Sequence, residues 1–341
     1  PAAGRLLDER RTGAVDPDQQ AWPRKRHADP RFPNQNNPNN PQDPTLIESI
    51  SIPVGQVNEE PGRMYESYWG LSRPPFPAGP DPDGFVACHP HQAALLKLRY
   101  TVESSLGVAA LTGDIGSGKT TVVGRLADEL GEPFGPFVHV VFPRLSPRQL
   151  IAWLAVELGA DESMVERSEM GLDLVLRVLR DRLIDWTTRQ RHPVLVIDEA
   201  HLLGNSTILE LLMLLLNFRD EAGIDFTLLL VGHSSLSALL TRVPQLADRL
   251  ALVAHLPSLG ADETGRYIVG RLQTAGCSKI PFEPDALAAI HTLTGGVPRA
   301  IGRLCDLSLL VGYADGLGTI QAEDVQNVAL ELPRTALKRV S

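Results

Sequence analysis

Cysteine, aromatic residues and positive charge are all scarce in this chain of 341 residues. Its three cysteines, Cys88, Cys277 and Cys305, lie far apart without C-x-x-C spacing. This pattern argues against a disulfide framework or a zinc module and favours reduced thiols in a cytoplasmic protein. The net charge of −9 argues against nucleic-acid binding through bulk positive charge, although a local basic surface stays open.

Membrane-spanning runs are missing from the sequence as well. The richest apolar stretch, residues 208–218, is interrupted by Glu210 and Asn217, so it falls short of the roughly 20 apolar residues that a membrane helix needs. The N-terminus shows no secretory signal pattern. What the chain does have is 43% hydrophobic residues, over a length that suits about two domains, and this predicts a substantial folded core.

Residues 1–63 differ in composition from the rest of the chain. They hold 10 of the 27 prolines and an Asn/Pro run at residues 34–41, and this predicts a disordered tail. The first methionine is Met64, which allows two interpretations. The tail is either an upstream extension before a true start at Met64, or a flexible arm whose basic cluster at residues 24–26 touches a partner.

The phosphate-binding pattern G-x-x-x-x-G-K-[ST] is met at every fixed position by GDIGSGKTT, residues 113–121. An apolar run at 108–111 predicts a strand before it, and a periodic run at 122–130 predicts a helix after it. The motif requires this context, because glycines let several N–H groups point into one concavity at the positive end of a helix. The candidate nucleotide-binding residues are therefore Gly113, Asp114, Ile115, Gly116, Ser117, Gly118, Lys119, Thr120 and Thr121. Lys119 would reach the β- and γ-phosphates of ATP, and the Thr120 hydroxyl would hold Mg²⁺.

A second nucleotide motif follows the short apolar run at residues 194–197. There the sequence DEAH begins with Asp198, which we expect in the Mg²⁺ shell, directly or through water, and Glu199, which we expect to polarise the attacking water. An apolar run followed by Asp-Glu is a weak signal alone, and it becomes strong after a well-formed phosphate loop. His201 is interpreted as structural.

Further apolar strands are predicted at residues 137–142, 226–232 and 250–256, alternating with helices at 147–158 and 171–191. This alternation predicts an α/β fold with a parallel sheet flanked by helices, and a nucleotide at the carboxyl ends of the strands. From residue 261 strand signals stop, and helices at 262–273, 284–293, 298–310 and 322–330 predict a small all-α lid. The expected domains are a nucleotide-binding domain at 64–258 and a lid at 259–332, with a C-terminal tail at 333–341.

Three further side chains are candidates from their positions alone. His233 stands at the tip of the strand at 226–232, where it either touches the γ-phosphate or is a satisfied surface histidine. Arg249 precedes the last strand, and Arg299 lies in the first turn of the helix that Pro298 opens. Near the start of the globular part, residues 65–76 are dense in aromatic rings for a chain with 5% aromatics, and we expect an irregular strap over the core.

The order of phosphate loop, DEAH, polar strand tip, arginine before the last strand and G-x-P-R in a helical lid resembles the AAA+ ATPases. MYESYWGLSRPPF, FVACHPHQAALLKL, LLLVGHSSL and LADRLALVAHLPSL are more narrowly similar to secretion ATPases of the ExeA/GspA type, with transposition ATPases of the TniB and TnsC type as relatives. The resemblance covers about residues 64–332. It implies ATP hydrolysis with Mg²⁺ in a homo-oligomer, a ring or filament, that acts on a protein partner.

The same resemblance assigns roles to the remaining candidates. Arg299 corresponds to sensor 2, which reaches the γ-phosphate from the lid, and Arg249 to the arginine finger that enters a neighbouring subunit's site. His233 occupies the sensor 1 place, where the family usually has glutamine. His91 and the aromatic strap would lie near the adenine.

One departure concerns the process that the ATPase serves. Members of the ExeA type usually continue into a membrane segment and a peptidoglycan-binding domain, whereas this sequence stops at Ser341. The alternatives to a secretion ATPase are a DNA-associated regulator of transposition, a non-hydrolysing ATP-dependent scaffold and a small-molecule kinase. The presence of Glu199 argues against the scaffold, and DEAH with the G-x-P-R lid argues against the kinase.

Overall fold

The computed structural model describes residues 65–333, except 80, 82–83, 142–144, 166–170 and 204–205. The tail predicted at 1–63 and all but the first residue of the tail predicted at 333–341 lie outside the described residues. In the described part, no helix combines the length and the apolar character needed to cross a membrane.

Up to residue 256 the described elements are strands connected by one or more helices, and from residue 261 onward they are helices. The strands are β1 Val108–Gly113, β2 Phe134–Val140, β3 His192–Ile197, β4 Thr227–Gly232 and β5 Leu250–Leu256. The helices of the first part are α1 His89–Glu103, α2 Lys119–Glu129, α3 Pro147–Glu157, α4 Glu162–Val165, α5 Leu172–Thr188, α6 Ser206–Ala222, α7 Ser235–Leu240 and α8 Pro244–Ala247. Those of the second part are α9 Ala261–Thr274, α10 Pro284–Thr294, α11 Pro298–Ala314 and α12 Ala322–Glu331.

The five strands form one parallel sheet in the order β2-β3-β4-β1-β5. Because all strands run the same way, the ends of β1, β3 and β4 meet at one edge of the sheet, where each is followed by a polar segment. The register sets Thr112 opposite Gly232 and Ile197 opposite Leu230. The phosphate loop, the DEAH segment and His233 therefore gather at this edge, as the α/β prediction requires.

Each face of the sheet supplies one hydrophobic core, because successive side chains of a strand point to opposite faces. On β3, Leu195 and Ile197 belong to a core covered by α3, α5 and α6. Val194 and Val196 belong to a second core with α1 and α2. The sheet is thus buried on both sides, which accounts for the uninterrupted apolar runs in the sequence.

Local sequence signals explain several helix boundaries. Ser146 caps α3 in a reciprocal capping box: its hydroxyl accepts from the Gln149 N–H at 3.3 Å, and the Gln149 side chain accepts from the Ser146 N–H at 2.9 Å. Helix α10 ends at Gly295 in the left-handed conformation. β5 and the four lid helices match their predictions closely. β2 begins at Phe134 rather than at residue 137, and helix α6 covers an apolar stretch to which we assigned no element.

The aromatic strap packs on the lid, whereas the sequence assigned it to the nucleotide-binding domain. Tyr65, Trp69, Leu71 and Phe76 share one hydrophobic core with α9–α12. The Trp69 Nε1–H donates to the Leu309 carbonyl at 2.9 Å. Gly312 makes room for the ring, because a Cβ there would lie 3.1 Å from the Trp69 side chain. The lid is therefore built from two segments that are far apart in the sequence.

Candidate nucleotide-binding site

The phosphate loop joins β1 to α2 through glycines that no other residue could replace without strain. Gly116 and Gly118 have φ values of +82° and +95°, in the left-handed region that favours glycine. At Gly118 a Cβ would lie 2.9 Å from Nε2 of His91, so the histidine ring packs directly against the loop. The loop thus combines the required backbone bend with the start of helix α2 at Lys119.

Lys119 is a buried cation held by the loop itself. Its Nζ donates to the carbonyl oxygens of Gly113 and Asp114, both at 3.0 Å. Burial lowers the pKa of Lys119 and outweighs the raising influence of the Glu199, Asp198 and Asp114 carboxylates. The ammonium group is therefore placed at the loop by weak neutral acceptors, which negatively charged phosphate oxygens would readily replace.

Thr120 and Asp198 form a preassembled pair of oxygen ligands. The Thr120 hydroxyl donates to Asp198 Oδ2 at 2.9 Å, and the Glu199 N–H donates to Asp198 Oδ1 at 2.8 Å. Burial raises the pKa of Asp198, but the neighbouring His139 side chain and hydrogen bonds from the Glu199 N–H and the Thr120 hydroxyl together lower it below the ordinary value. An ionised carboxylate beside a hydroxyl fits Mg²⁺, which prefers hard oxygen ligands and takes the remainder from phosphate and water.

Glu199 leaves the sheet in a conformation that is rare for a non-glycine residue. Its φ is +52°, and its side chain is 46% exposed beside the buried Asp198. Glu199 Oε2 lies 3.2 Å from His201 Nδ1. A backbone outlier of this kind is commonly found at functional sites, where surrounding structure holds it.

His233 follows β4, between the phosphate loop and the DEAH segment. Its Nε2 lies 3.7 Å from Asp114 Oδ1, and its Nδ1 lies 3.2 Å from Ser235 Oγ. The rings of His233 and His201 are 5.8 Å apart. The structure thus brings the predicted polar strand tip to the phosphate loop, and its role in sensing phosphate stays a prediction.

The lid closes the site from the other side. The backbone N–H of Arg299 donates to the Gly116 carbonyl at 3.1 Å, so the first turn of α11 rests on the phosphate loop. The Arg299 side chain lines a cavity of about 690 Å³ together with Lys119, Thr120, Asp198 and Glu199. This volume lies within the range of ligand pockets.

The far wall of this cavity is made by the strap and by α9. Arg271 is 7% exposed: its Nε donates to the Pro75 carbonyl and its Nη1 to the Gly84 carbonyl, both at 2.7 Å, while its Nη2 lies 2.8 Å from Asp81 Oδ2. His91 also lines the cavity, but its Nε2 is 2.9 Å from the Ser117 carbonyl, which ties the ring to the phosphate loop. Its predicted contact with adenine stays untested.

Arg249 lies at the opposite edge of the sheet, immediately before β5. Its Nη2 pairs with Asp220 Oδ2 at 3.1 Å. Since β5 has seven residues, about 20 Å separates Arg249 from the edge that carries its own phosphate loop. The arginine is therefore outside its own site, as a residue acting on a neighbouring subunit must be.

Two contributors to the site carry no signal of their own in the sequence. His139 on β2 lies 3.4 Å from Asp198 Oδ2, and Arg271 anchors the strap. Knowledge of the β2–β3 register, which sets His139 opposite Val196, would have identified His139, but strand pairing is not visible in a single sequence.

Comparisons with known proteins agree with this geometry. Residues 102–240 match the family described as AAA domain. The chain is 33% identical over 272 residues to general secretion pathway protein A of Aeromonas hydrophila, covering 79% of this chain and 48% of that protein. It thus spans about half the length of this relative.

Solved structures share the fold at lower identity. Cdc6p from Pyrobaculum aerophilum matches with a TM-score of 0.60 and 21% identity, over 74% of this chain and 71% of that one. The ORC2 protein of Aeropyrum pernix, solved in ADPNP–ADP complexes, matches with a TM-score of 0.54 and 18% identity, over 71% and 66%. These two likenesses show a common fold.

Proposed function

Because this chain carries an AAA+ domain of the general secretion pathway protein A type, we propose that it binds ATP with Mg²⁺ and hydrolyses it to ADP and phosphate. Hydrolysis would be coupled to assembly of the protein with itself and to the recruitment or remodelling of a protein partner. The observation that supports this best is the placement of Glu199 beside the Thr120–Asp198 pair, within one cavity that also holds Lys119 and Arg299.

In the proposed reaction, a water oxygen forms a bond to the γ-phosphorus as the bond to the oxygen bridging to the β-phosphate breaks. Glu199 accepts the proton of the water, and ADP keeps the bridging oxygen. Lys119 exchanges its two carbonyl acceptors for β- and γ-phosphate oxygens, and Arg299 adds positive charge from the lid. When bound, Mg²⁺ would be held by Thr120 and Asp198 and would neutralise charge on the phosphates.

The experiment measures ATP binding and turnover separately in wild type and Glu199→Gln. The variant keeps the size of the side chain but removes the base, and a positioned base accounts for about 10²–10⁴-fold in rate. We expect unchanged ATP affinity with turnover reduced by about that factor. Glu210→Gln is the matched control, because this carboxylate is exposed on α6.

Two results would contradict the proposal. Wild-type protein that binds ATP without releasing phosphate, alone or assembled, would favour the non-hydrolysing scaffold. Normal turnover in Glu199→Gln would place the base elsewhere, with His233 as the first alternative. We propose a cytoplasmic location for this ATPase, in keeping with three free, buried thiols.

The partner and the process are proposed from the relative alone. General secretion pathway protein A, of which the chain spans about half, supports a role in secretion or export. A regulator of transposition would use the same ATPase residues, and the net charge of −9 gives it no support. Binding assays with double-stranded DNA at low and physiological salt distinguish the two, because phosphate contacts weaken steeply as salt increases.

A further inference from the structure

One nitrogen of His201 contacts two groups at the catalytic edge of the sheet. Its Nδ1 lies 3.2 Å from Oε2 of Glu199 and 3.2 Å from the backbone nitrogen of His233. The His201 ring can lie this close to the end of β4 because Gly232 has no side chain. A Cβ at Gly232 would lie 3.3 Å from the same Nδ1 and 3.1 Å from the backbone nitrogen of His201. Two strand ends, those of β3 and β4, thus converge on a single atom.

A histidine Nδ1 has one in-plane position, which holds either a lone pair or a proton. To accept from the His233 N–H it must hold the lone pair, and then it cannot donate to Glu199. To donate to the Glu199 carboxylate it must hold the proton, and then the His233 N–H loses its acceptor. The two contacts therefore exclude each other, although both lie at hydrogen-bond distance.

We propose that His201 is a positioning residue that couples the Glu199 carboxylate to the tip of β4, an inference that rests on the proposed ATP hydrolysis. With the His233 N–H docked on Nδ1, Glu199 receives no hydrogen bond from the ring and is free to accept one from the attacking water. With the tip undocked, Nδ1–H holds the carboxylate away from that task.

The tip of β4 is in turn linked to the phosphate loop. Asp114 Oδ1 lies 3.7 Å from His233 Nε2 and accepts from the Ser234 hydroxyl at 3.4 Å. These contacts are long, so a γ-phosphate entering between them would readily replace them. Occupation of the loop would thereby move the tip, and the tip would set which contact His201 makes. His201 thus links the presence of nucleotide at the phosphate loop, which moves the tip of β4, to the position of the Glu199 carboxylate at the end of β3.

The first arm of the test compares His201→Phe with His201→Asn. Phe keeps the ring volume without a polar atom, whereas the Asn amide sets an oxygen or nitrogen near the position of Nδ1. We expect Phe to raise kcat about twofold or more with ATP affinity unchanged, because a phenyl ring has no N–H that could hold the Glu199 carboxylate away from the attacking water. Asn should return kcat toward the wild-type value, because its amide N–H can hold the carboxylate as Nδ1–H does. In the Glu199→Gln background, His201→Phe should change kcat no further, because the group it positions is gone. His89→Phe, at an exposed histidine that begins α1, is the control.

The second arm needs no turnover. Hydrogen exchange at the His233 amide should be about tenfold faster in His201→Phe than in wild type or His201→Asn, because only Phe removes the acceptor. Equal exchange in all three proteins would overturn the contact, even if the wild type proved unable to hydrolyse ATP. A kcat of His201→Phe at or below the wild-type value, an Asn variant as fast as Phe, or an equal gain in the Glu199→Gln background would each overturn the coupling.

Discussion

The amide of Arg299 donates to the carbonyl oxygen of Gly116 at 3.1 Å, so the lid helix and the phosphate loop are joined through their backbones. A Cβ on Gly116 would lie 2.8 Å from the Arg299 Cβ and 3.2 Å from Val297 Cγ1. The second glycine of the loop therefore serves the lid as well as the phosphates. The first turn of α11 is thus bonded directly to the loop that we expect to hold the phosphates.

Lys119→Ala should abolish tight ATP binding without unfolding the protein. Lys119 is the side chain of the phosphate loop that brings positive charge to the β- and γ-phosphates, and a hydrogen bond to a charged group contributes about 1.5–3 kcal/mol. We expect ATP affinity to fall about a hundredfold, measured by calorimetry with a non-hydrolysable analogue. Lys97→Ala on α1, an exposed lysine, is the control. Wild-type affinity in a folded Lys119→Ala protein would be incompatible with this role.

Arg249→Ala should lose hydrolysis while keeping ATP affinity, because the arginine lies at the opposite edge of the sheet from its own phosphate loop. Its ion pair with Asp220 is exposed and is worth at most about 1 kcal/mol, so it is easily given up to a neighbouring subunit. A finger arginine supplied in trans contributes about 10³–10⁵-fold in rate. We expect a loss in this range and specific activity that rises with protein concentration. Arg242→Ala, an exposed arginine nearby, should behave as wild type.

The decisive version of this test mixes Arg249→Ala with Lys119→Ala protein. Each variant lacks a different half of a site shared between subunits, so mixed interfaces should regain part of the activity. In a sample shown by sedimentation to assemble, a mixture no more active than either parent would count against a finger in trans.

Arg271→Lys should destabilise the protein although it keeps the charge. A lysine cannot serve the carbonyls of Pro75 and Gly84 and the Asp81 carboxylate in the planar arrangement that a guanidinium allows. We expect the free energy of unfolding to fall by about 2–4 kcal/mol, because buried charged partners are left unsatisfied. Arg266→Lys on the same helix, 67% exposed, should cost less than about 0.5 kcal/mol. Urea denaturation of both variants measures the difference.

Asp225→Asn should destabilise the protein at neutral pH and lose its effect in acid. Burial raises the pKa of Asp225, but His192, Ser105 and Arg219 outweigh it and bring the pKa to about 2, against an ordinary 3.8. A carboxyl whose folded pKa is lowered contributes stability above its unfolded pKa, and this contribution is lost as pH falls toward 2.

Since the Asp225 side chain is 40% exposed, solvent screening reduces its contribution, and we expect about 1 kcal/mol at pH 7. The difference in free energy of unfolding between wild type and Asp225→Asn should shrink steadily between pH 4 and pH 2, measured by urea titration at several pH values. Asp181→Asn, at an exposed position on α5, provides the baseline. A difference that stays constant over this range would show that Asp225 acts through packing alone.

The parts of the site that lie within a contiguous motif were predictable, because residues 113–121 and the DEAH segment carry their chemistry in local order. The apolar runs likewise indicated the parallel sheet, since strands buried on both faces leave little ambiguity. The contact of His139 with Asp198 and the clamp of Arg271 on the strap were not predictable. Both depend on strand register or on docking between distant segments, and local sequence patterns reveal neither.

The strap shows how proximity in sequence can mislead. Its aromatic density correctly indicated a segment that packs on the folded core, but its position before β1 suggested the nucleotide-binding domain. The rings fit instead against α11, where Gly302 and Gly312 leave space beside Phe76 and Trp69. Shape complementarity between the strap and α11, two segments far apart in the sequence, thus places the strap on the lid.

The bond from Trp69 to the Leu309 carbonyl joins positions 240 residues apart, and this separation has a consequence for the order of folding. In a chain synthesised from its N-terminus, the strap is made before the sheet, yet its partners, the lid helices α9–α12, are made only after the sheet. Its aromatic rings therefore stay uncovered while the whole α/β part is being made. Long-range pairings of this kind form slowly, because the loop must close before the contact contributes. The strap can therefore dock only once the lid helices, which are made after the sheet, are present.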